Sequence, residues 1–308
     1  MGRIVSRLLD GGIHAYTPAA EGPLEPVAVF PVPEDARAHS VTADATRVVY
    51  ATLHAIVCID REGTELWRYD LLPAPSGSFV HDPDCAFSSD GAQVWVYRPD
   101  AVSDRHPVDR WVVLDACSGE VEAEADLHTA GHGATHFMHP DGDHVLLDVG
   151  EGQDGLAIFE GTLTKNGLEV HRHPWDDRCL AGISPDGSTF MTVEHHQADI
   201  AFHRHPGGDT ILKLTTDAFV SDYAWFEWTG GFLAPETAVV VVIVDPLDGP
   251  ERHHHYLLDV PSGDVLGRFD AQARDSLDVE ALGDGTWLTS DGRGRPALRS
   301  GAVPNPRP

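Results

Sequence analysis

Ile183 to Glu194 reads I-S-P-D-G-S-T-F-M-T-V-E. It is the end of an apolar strand, a tight Asp-Gly turn and a second alternating strand. The same unit returns along the chain. Cys85 to Tyr97 is C-A-F-S-S-D-G-A-Q-V-W-V-Y, and His136 to Asp148 is H-F-M-H-P-D-G-D-H-V-L-L-D. Val41 to Thr52 is V-T-A-D-A-T-R-V-V-Y-A-T, and Val279 to Ser290 is V-E-A-L-G-D-G-T-W-L-T-S. A degenerate copy runs from Gly231 to Val242, with Pro235-Glu236 in place of the turn dipeptide. With Asp44, Asp90, Asp141, Asp186, Glu236 and Asp284 as markers, the steps are 46, 51, 45, 50 and 48 residues.

Around each marker the pattern supports four short strands separated by turns, which is the signature of a β-propeller blade. The expected blades span about 37–72, 81–127, 132–173, 177–216, 222–270 and 275–300. The last lacks a fourth strand of its own, and the N-terminal strand Pro26 to Phe30 is expected to supply it, which would remove an exposed sheet edge. The reading is therefore a single all-β propeller domain of four-stranded antiparallel blades. It has six blades, or seven if the first 36 residues contribute more than one strand. Residues 301–308 read as a flexible tail, and no long helix is expected. The S-P-D-G and S-S-D-G turns resemble those of the WD-repeat propellers, although the closing Trp-Asp dipeptide is absent. That resemblance implies fold, and its commonest role is a non-catalytic platform for binding proteins.

The composition narrows the function classes. The 308 residues carry 21 Lys and Arg against 49 Asp and Glu, a net charge of −28. That balance excludes a nucleic-acid-binding face, which needs clustered cations, and an anionic membrane surface. The longest apolar run, Ala238 to Val244, is far below the roughly 18 residues of a membrane span and reads as a buried strand. The N-terminus lacks the apolar core of a secretory signal, so a cytoplasmic, bacterial-type protein is expected. Cys58, Cys85, Cys117 and Cys179 show no paired spacing and read as buried, reduced thiols. The phosphate-binding G-x-x-x-x-G-K-[ST], the dinucleotide G-x-G-x-x-G, H-E-x-x-H and G-x-S-x-G are all absent, so no nucleotide cofactor is expected.

Chemistry in a propeller concentrates in the loops entering the innermost strands and in those joining second to third strands. Nine residues before each marker stand Asp35, His81, His132, Asp177, Glu227 and Asp275, each a metal ligand or proton carrier by type. Five before stand His39, Cys85 and His136, and the second-to-third-strand loops add His54, His195, His196 and Asp291. Imidazoles mixed with carboxylates suit one divalent cation open to substrate. The expected ligands are His81, His132, Asp177, Glu227 and Asp275. Glu227, His136 and His196 are the expected acid–base groups, with His39 a further candidate. By analogy with gluconolactonase-like and lyase propellers, the chemistry would be hydrolase, lyase or isomerase work on a small molecule. The alternative is a scaffold whose acidic face binds a basic or aromatic protein segment. Tyr223, Trp225, Phe226, Trp228 and Phe232 read as blade packing or as an aromatic wall beside Glu227. The pairs His171/His173 and His203/His205 read as solvated rim residues.

Overall fold

The computed structural model describes residues 3–71, 73, 75, 80–175, 177–245 and 250–301. Of the expected tail, residues 302–308 lie outside the described residues. Strands carry the structure, and among the described residues the only helical segments are the 3-10 turns Gly152–Asp154 and Thr216–Ala218. No helix among the described residues is long and apolar enough to cross a membrane. The chain divides into two compact units, Met1–Pro18 with Glu25–His173, and Ala19–Leu24 with Pro174–Pro308.

In the first unit, β1 (Val5–Leu9) and β2 (Gly12–Tyr16) form a hairpin. After the short β3 (Gly22–Pro23), which belongs to the second unit, β4 (Pro26–Pro31) pairs with β2. The second blade is β5 (His39–Val41), β6 (Arg47–Ala51), β7 (Ala55–Asp60) and β8 (Glu65–Asp70). The third is β9 (Asp84–Phe87), β10 (Gln93–Arg98), β11 (Asp109–Asp115) and β12 (Val121–Leu127). The fourth is β13 (Gly133–Met138), β14 (His144–Gly150), β15 (Leu156–Thr164) and β16 (Gly167–Arg172). Each four-stranded sheet is an antiparallel meander in sequence order.

The second unit continues with β17 (Arg178–Ile183), β18 (Thr189–Glu194), β19 (Asp199–Arg204) and β20 (Thr210–Thr215). The sixth blade is β21 (Ala224–Ala234), β22 (Thr237–Val244), β23 (Arg252–Asp259) and β24 (Asp264–Phe269). The last is β25 (Glu280–Ala281), β26 (Thr286–Ser290) and β27 (Pro296–Ser300), with β3 as its fourth strand.

Seven blades, not six, are therefore present. Strands β1, β2 and β4 form a sheet of their own, seeded by the Asp10-Gly11 turn, where both residues have positive φ (50° and 76°). That is the backbone a two-residue hairpin requires. Nor does Pro26–Pro31 complete the last blade. Its Phe30 is fully buried opposite Ile13 of β2. Gly22–Pro23 pairs with Leu298 and Ala297 instead.

The repeated turn has one hydrogen-bond scheme. The hydroxyls of Thr42, Ser88 and Ser184 donate to the Oδ1 of Asp44, Asp90 and Asp186 at 2.7, 2.7 and 2.6 Å. The same hydroxyls accept from the backbone N–H five residues on, at 3.1, 3.0 and 2.9 Å. The hydroxyl bonds are the leading cause that holds all three carboxyls below their ordinary pKa. This local chemistry makes S-P-D-G a fold determinant.

Within the first unit the second and third blades have both faces covered, so their middle strands are apolar throughout instead of alternating. Val48 and Tyr50 pack toward Ile13 and Phe30 of the first blade, while Val49 and Ala51 pack toward Cys85 and Val94 of the third. Tyr97 and Trp111 pack against Leu147 and Val149 of the fourth. Burying such side chains contributes about 1.5–3 kcal/mol each. Trp67 also donates from Nε1 to Ala116 O (3.1 Å). A Cβ on Gly119 would lie 2.7 Å from the Trp67 ring, and Gly119 has φ +72°. The rim reading fails for two histidines. His173 and His203 are 4% and 2% exposed, and His203 is stacked at 4.2 Å on Trp175, a residue the strand pattern does not count. Of the cysteines, Cys58, Cys85 and Cys179 are buried, but Cys117 is exposed in the turn after β11.

Candidate metal centre in the fifth blade

Asp177 precedes β17, and His195 follows β18. The pairing of Arg178 with Glu194 sets the two side by side, and His195 N–H donates to Asp177 O at 2.9 Å. Both turns are tight, with φ of +54° at Asp177 and +63° at Gln197. Gln197 N–H closes the second turn onto Glu194 O at 2.8 Å. Beneath them the buried Arg178 guanidinium donates to Thr192 Oγ1 (2.7 Å) and pairs with Asp199 (2.7 Å). The two loops thus rise from a rigid, charge-compensated base.

Three ligating side chains converge there, and Glu194 stands against one of them. Asp177 Oδ1 lies 2.9 Å from His195 Nδ1, and Oδ2 lies 3.8 Å from His196 Nδ1. His196 Nδ1 also meets Glu194 Oε1 at 3.0 Å. That hydrogen bond, followed by the Glu194 and Asp177 charges, raises the His196 pKa above its ordinary value. Asp177 Oδ1 is buried and accepts no aligned hydrogen bond despite the short approach of His195. One ligating atom each from Asp177, His195 and His196 fall within 4.8 Å of one another. Bonds of about 2.0–2.2 Å to a tetrahedral cation place ligands about 3.3 Å apart, and the Asp177 contacts with His195 and His196, at 2.9 and 3.8 Å, bracket that spacing. Two imidazoles with carboxylates suit zinc, iron, nickel or manganese. His196 has 79% of its side chain exposed, which leaves the outer side open. Trp228 borders the cluster. Its Nε1 donates to His195 O (3.2 Å), and its ring lies 6.2 Å from the imidazole.

Of the residues singled out from the sequence, Asp177, His195 and His196 are brought together, and Glu194, not anticipated, joins them. In the first unit His81 and His132 stack at 4.6 Å, with His132 exposed. In the second, Glu227 accepts from Ser276 Oγ (2.7 Å) and Trp228 N–H (3.0 Å). The exposed Asp275 caps the Leu277 N–H (3.0 Å). Among the described residues, none of these four belongs to a group of three ligating atoms. His136 is 1% exposed and spoken for on both sides. Trp111 Nε1 donates to its Nε2 (3.0 Å), so Nδ1 carries the proton and donates to Asp84 Oδ2 (2.6 Å). Burial lowers the pKa of His39, and Arg7 lowers it further. Asp291 binds the N–H groups of Arg293 and Arg295 in its own turn, and His54 is exposed.

No protein-family model matches the sequence, and no curated protein matches it. Solved structures do match. Kluyveromyces lactis Hsv2 superposes with a TM-score of 0.57 at 11% identity, covering 98% of both chains. The Neurospora crassa Pan2 WD40 domain gives 0.56 at 13% identity, covering 96% of this chain and 88% of that one. The dihydro-heme d1 dehydrogenase NirN gives 0.58 at 13% identity, covering 94% of this chain but 58% of the longer NirN chain. Likeness at this level of identity defines a class by fold alone. The chain has a β-propeller fold of the WD40 kind.

Proposed function

We propose that the protein is a small-molecule-binding propeller whose loop site in the fifth blade holds a divalent cation through Asp177, His195 and His196, with Glu194 beside His196. The observation that carries this reading is Asp177 Oδ1, a buried carboxylate oxygen facing His195 Nδ1 at 2.9 Å yet accepting no hydrogen bond. A buried charged acceptor is costly without a partner, and a cation between the two atoms would supply one. The exposed flank at His196 leaves room for a ligand oxygen to complete the coordination. The Trp228 ring, 49% exposed, offers an apolar face beside it. A cation so placed supplies Lewis-acid polarisation of a carbonyl or phosphoryl oxygen, which supports hydrolase, lyase or isomerase chemistry.

Elemental analysis of untagged protein purified without chelator tests the site. Wild type is expected to carry a transition metal, and the folded His195→Ala/His196→Ala variant to lose one equivalent that His81→Ala/His132→Ala retains. Wild type that neither carries nor reloads metal overturns the reading. Weight would then move to docking of a basic or aromatic protein segment, which the exposure of Tyr223 (74%) and Leu277 (65%) favours.

A further inference from the structure

The repeated turn provides an internal control for a second cluster, in the first unit. In the second, third and fifth blades the turn is built from a hydroxyl and one carboxylate oxygen, and nothing else is needed. In the fourth blade His139 stands where Thr42, Ser88 and Ser184 stand. Asp141 Oδ1 still accepts the backbone N–H groups of Asp143 (2.9 Å) and His144 (3.1 Å), so the turn is complete without the imidazoles. The second oxygen, Oδ2, is turned to two of them: His139 Nδ1 at 2.9 Å and His144 Nδ1 at 2.7 Å.

An N–H at each Nδ1 can satisfy Oδ2, which has two lone pairs, so the oxygen and both nitrogens already converge on one point, where a cation replacing the two protons would meet all three. Around the triad, Glu160 of β15, its side chain 12% exposed, lies 3.9 Å from His144 Nε2 and 3.3 Å from His173 Nε2. A carboxylate behind a ligating imidazole is the usual outer support of a metal site.

We propose that His139 Nδ1, His144 Nδ1 and Asp141 Oδ2 form a second transition-metal site, with Glu160 as a positioning residue that orients His144. The three ligating atoms lie within 4.8 Å of one another. The donor set of two imidazoles and one carboxylate selects zinc, cobalt or nickel over calcium or magnesium, which prefer oxygen alone. His139 is 3% exposed and His144 partly so, which leaves one open side.

The test uses the full chain carrying His195→Ala/His196→Ala, so that its outcome does not depend on the fifth-blade site. Zinc is titrated calorimetrically, and cobalt by its visible d–d absorbance. One equivalent should bind, with a cobalt spectrum of low-coordinate nitrogen–oxygen ligation. His144→Gln should weaken binding at least tenfold. Glu160→Gln should weaken it about 10- to 100-fold while leaving the stoichiometry at one. Circular dichroism shows that both variants are folded, and Glu160→Gln, which spares the turn, serves if His144→Gln is not. No binding of either metal, binding unchanged in both variants, or equal affinity for magnesium would overturn the proposal.

Discussion

Asp100 offers the sharpest test of how the loop ends are held. It is fully buried in the connection between β10 and β11, where its carboxylate faces Arg98 Nε at 3.1 Å, Arg110 Nε at 2.9 Å and Arg105 Nη1 at 4.0 Å. Arg105 is as buried as Asp100, and desolvation lowers its pKa despite the carboxylate. Three cations are thus tied to one buried anion. Asp100→Asn keeps the shape and removes the charge, which leaves uncompensated buried guanidiniums. Breaking a buried pair in this way costs about 3–5 kcal/mol. The exposed pair Arg68–Glu65, at 2.9 Å with both partners more than 40% exposed, is the control, and Glu65→Gln should cost less than about 0.5 kcal/mol. Urea unfolding followed by tryptophan fluorescence, at constant m-value, measures both. A loss below about 1 kcal/mol for Asp100→Asn would refute the reasoning. It would mean that the guanidiniums reach water when the carboxylate is gone.

His255, 6% exposed, should make stability fall in mild acid. Burial, then the neighbouring His253 and His254, lowers its pKa to about 4, against the opposing charges of Asp278 and Asp270. The unfolded chain protonates this imidazole near pH 6.5. Its contribution is therefore complete above pH 6.5 and lost as pH falls toward about 4, reaching about 3 kcal/mol. Melting temperature against pH should show that slope in wild type and not in His255→Gln. Ser184→Ala, which removes the hydroxyl shared by Asp186 and the Thr189 N–H, should destabilise by about 1 kcal/mol in urea. His136→Leu leaves Trp111 Nε1 and Asp84 without their shared partner and should cost about 1–3 kcal/mol while leaving metal content unchanged. A drop in metal content would show that His136 serves a metal centre and not only the contact between β9 and β13.

The blades were legible because S-P-D-G is a complete local instruction. Ser184, Asp186 and the Thr189 N–H satisfy one another within six residues, so spacing alone locates the hairpin. The first blade was missed because its hairpin turns on Asp10-Gly11 with no Ser or Thr before it, which lies outside the repeat pattern. Asp177 and His196 were legible as loop positions of the repeat. Their partnership with Glu194 was not, because it depends on the register that sets Arg178 against Glu194. His81, His132, Glu227 and Asp275 share the same repeat offset, yet each side chain is directed by its own loop. An offset fixes a place on the blade and not a side-chain direction. His203 was misread because its cover, Trp175, comes from the segment before β17 and not from the strand pattern.

The central claim is the cation in the fifth blade, and a crystal structure of the zinc-soaked protein, with anomalous data on both sides of the zinc edge, addresses it most directly. The account predicts a zinc peak bonded to Asp177 Oδ1, His195 Nδ1 and His196, at about 2.0–2.2 Å from each. Zinc bound only elsewhere, with Asp177 and His195 still in direct contact at 2.9 Å, would contradict it.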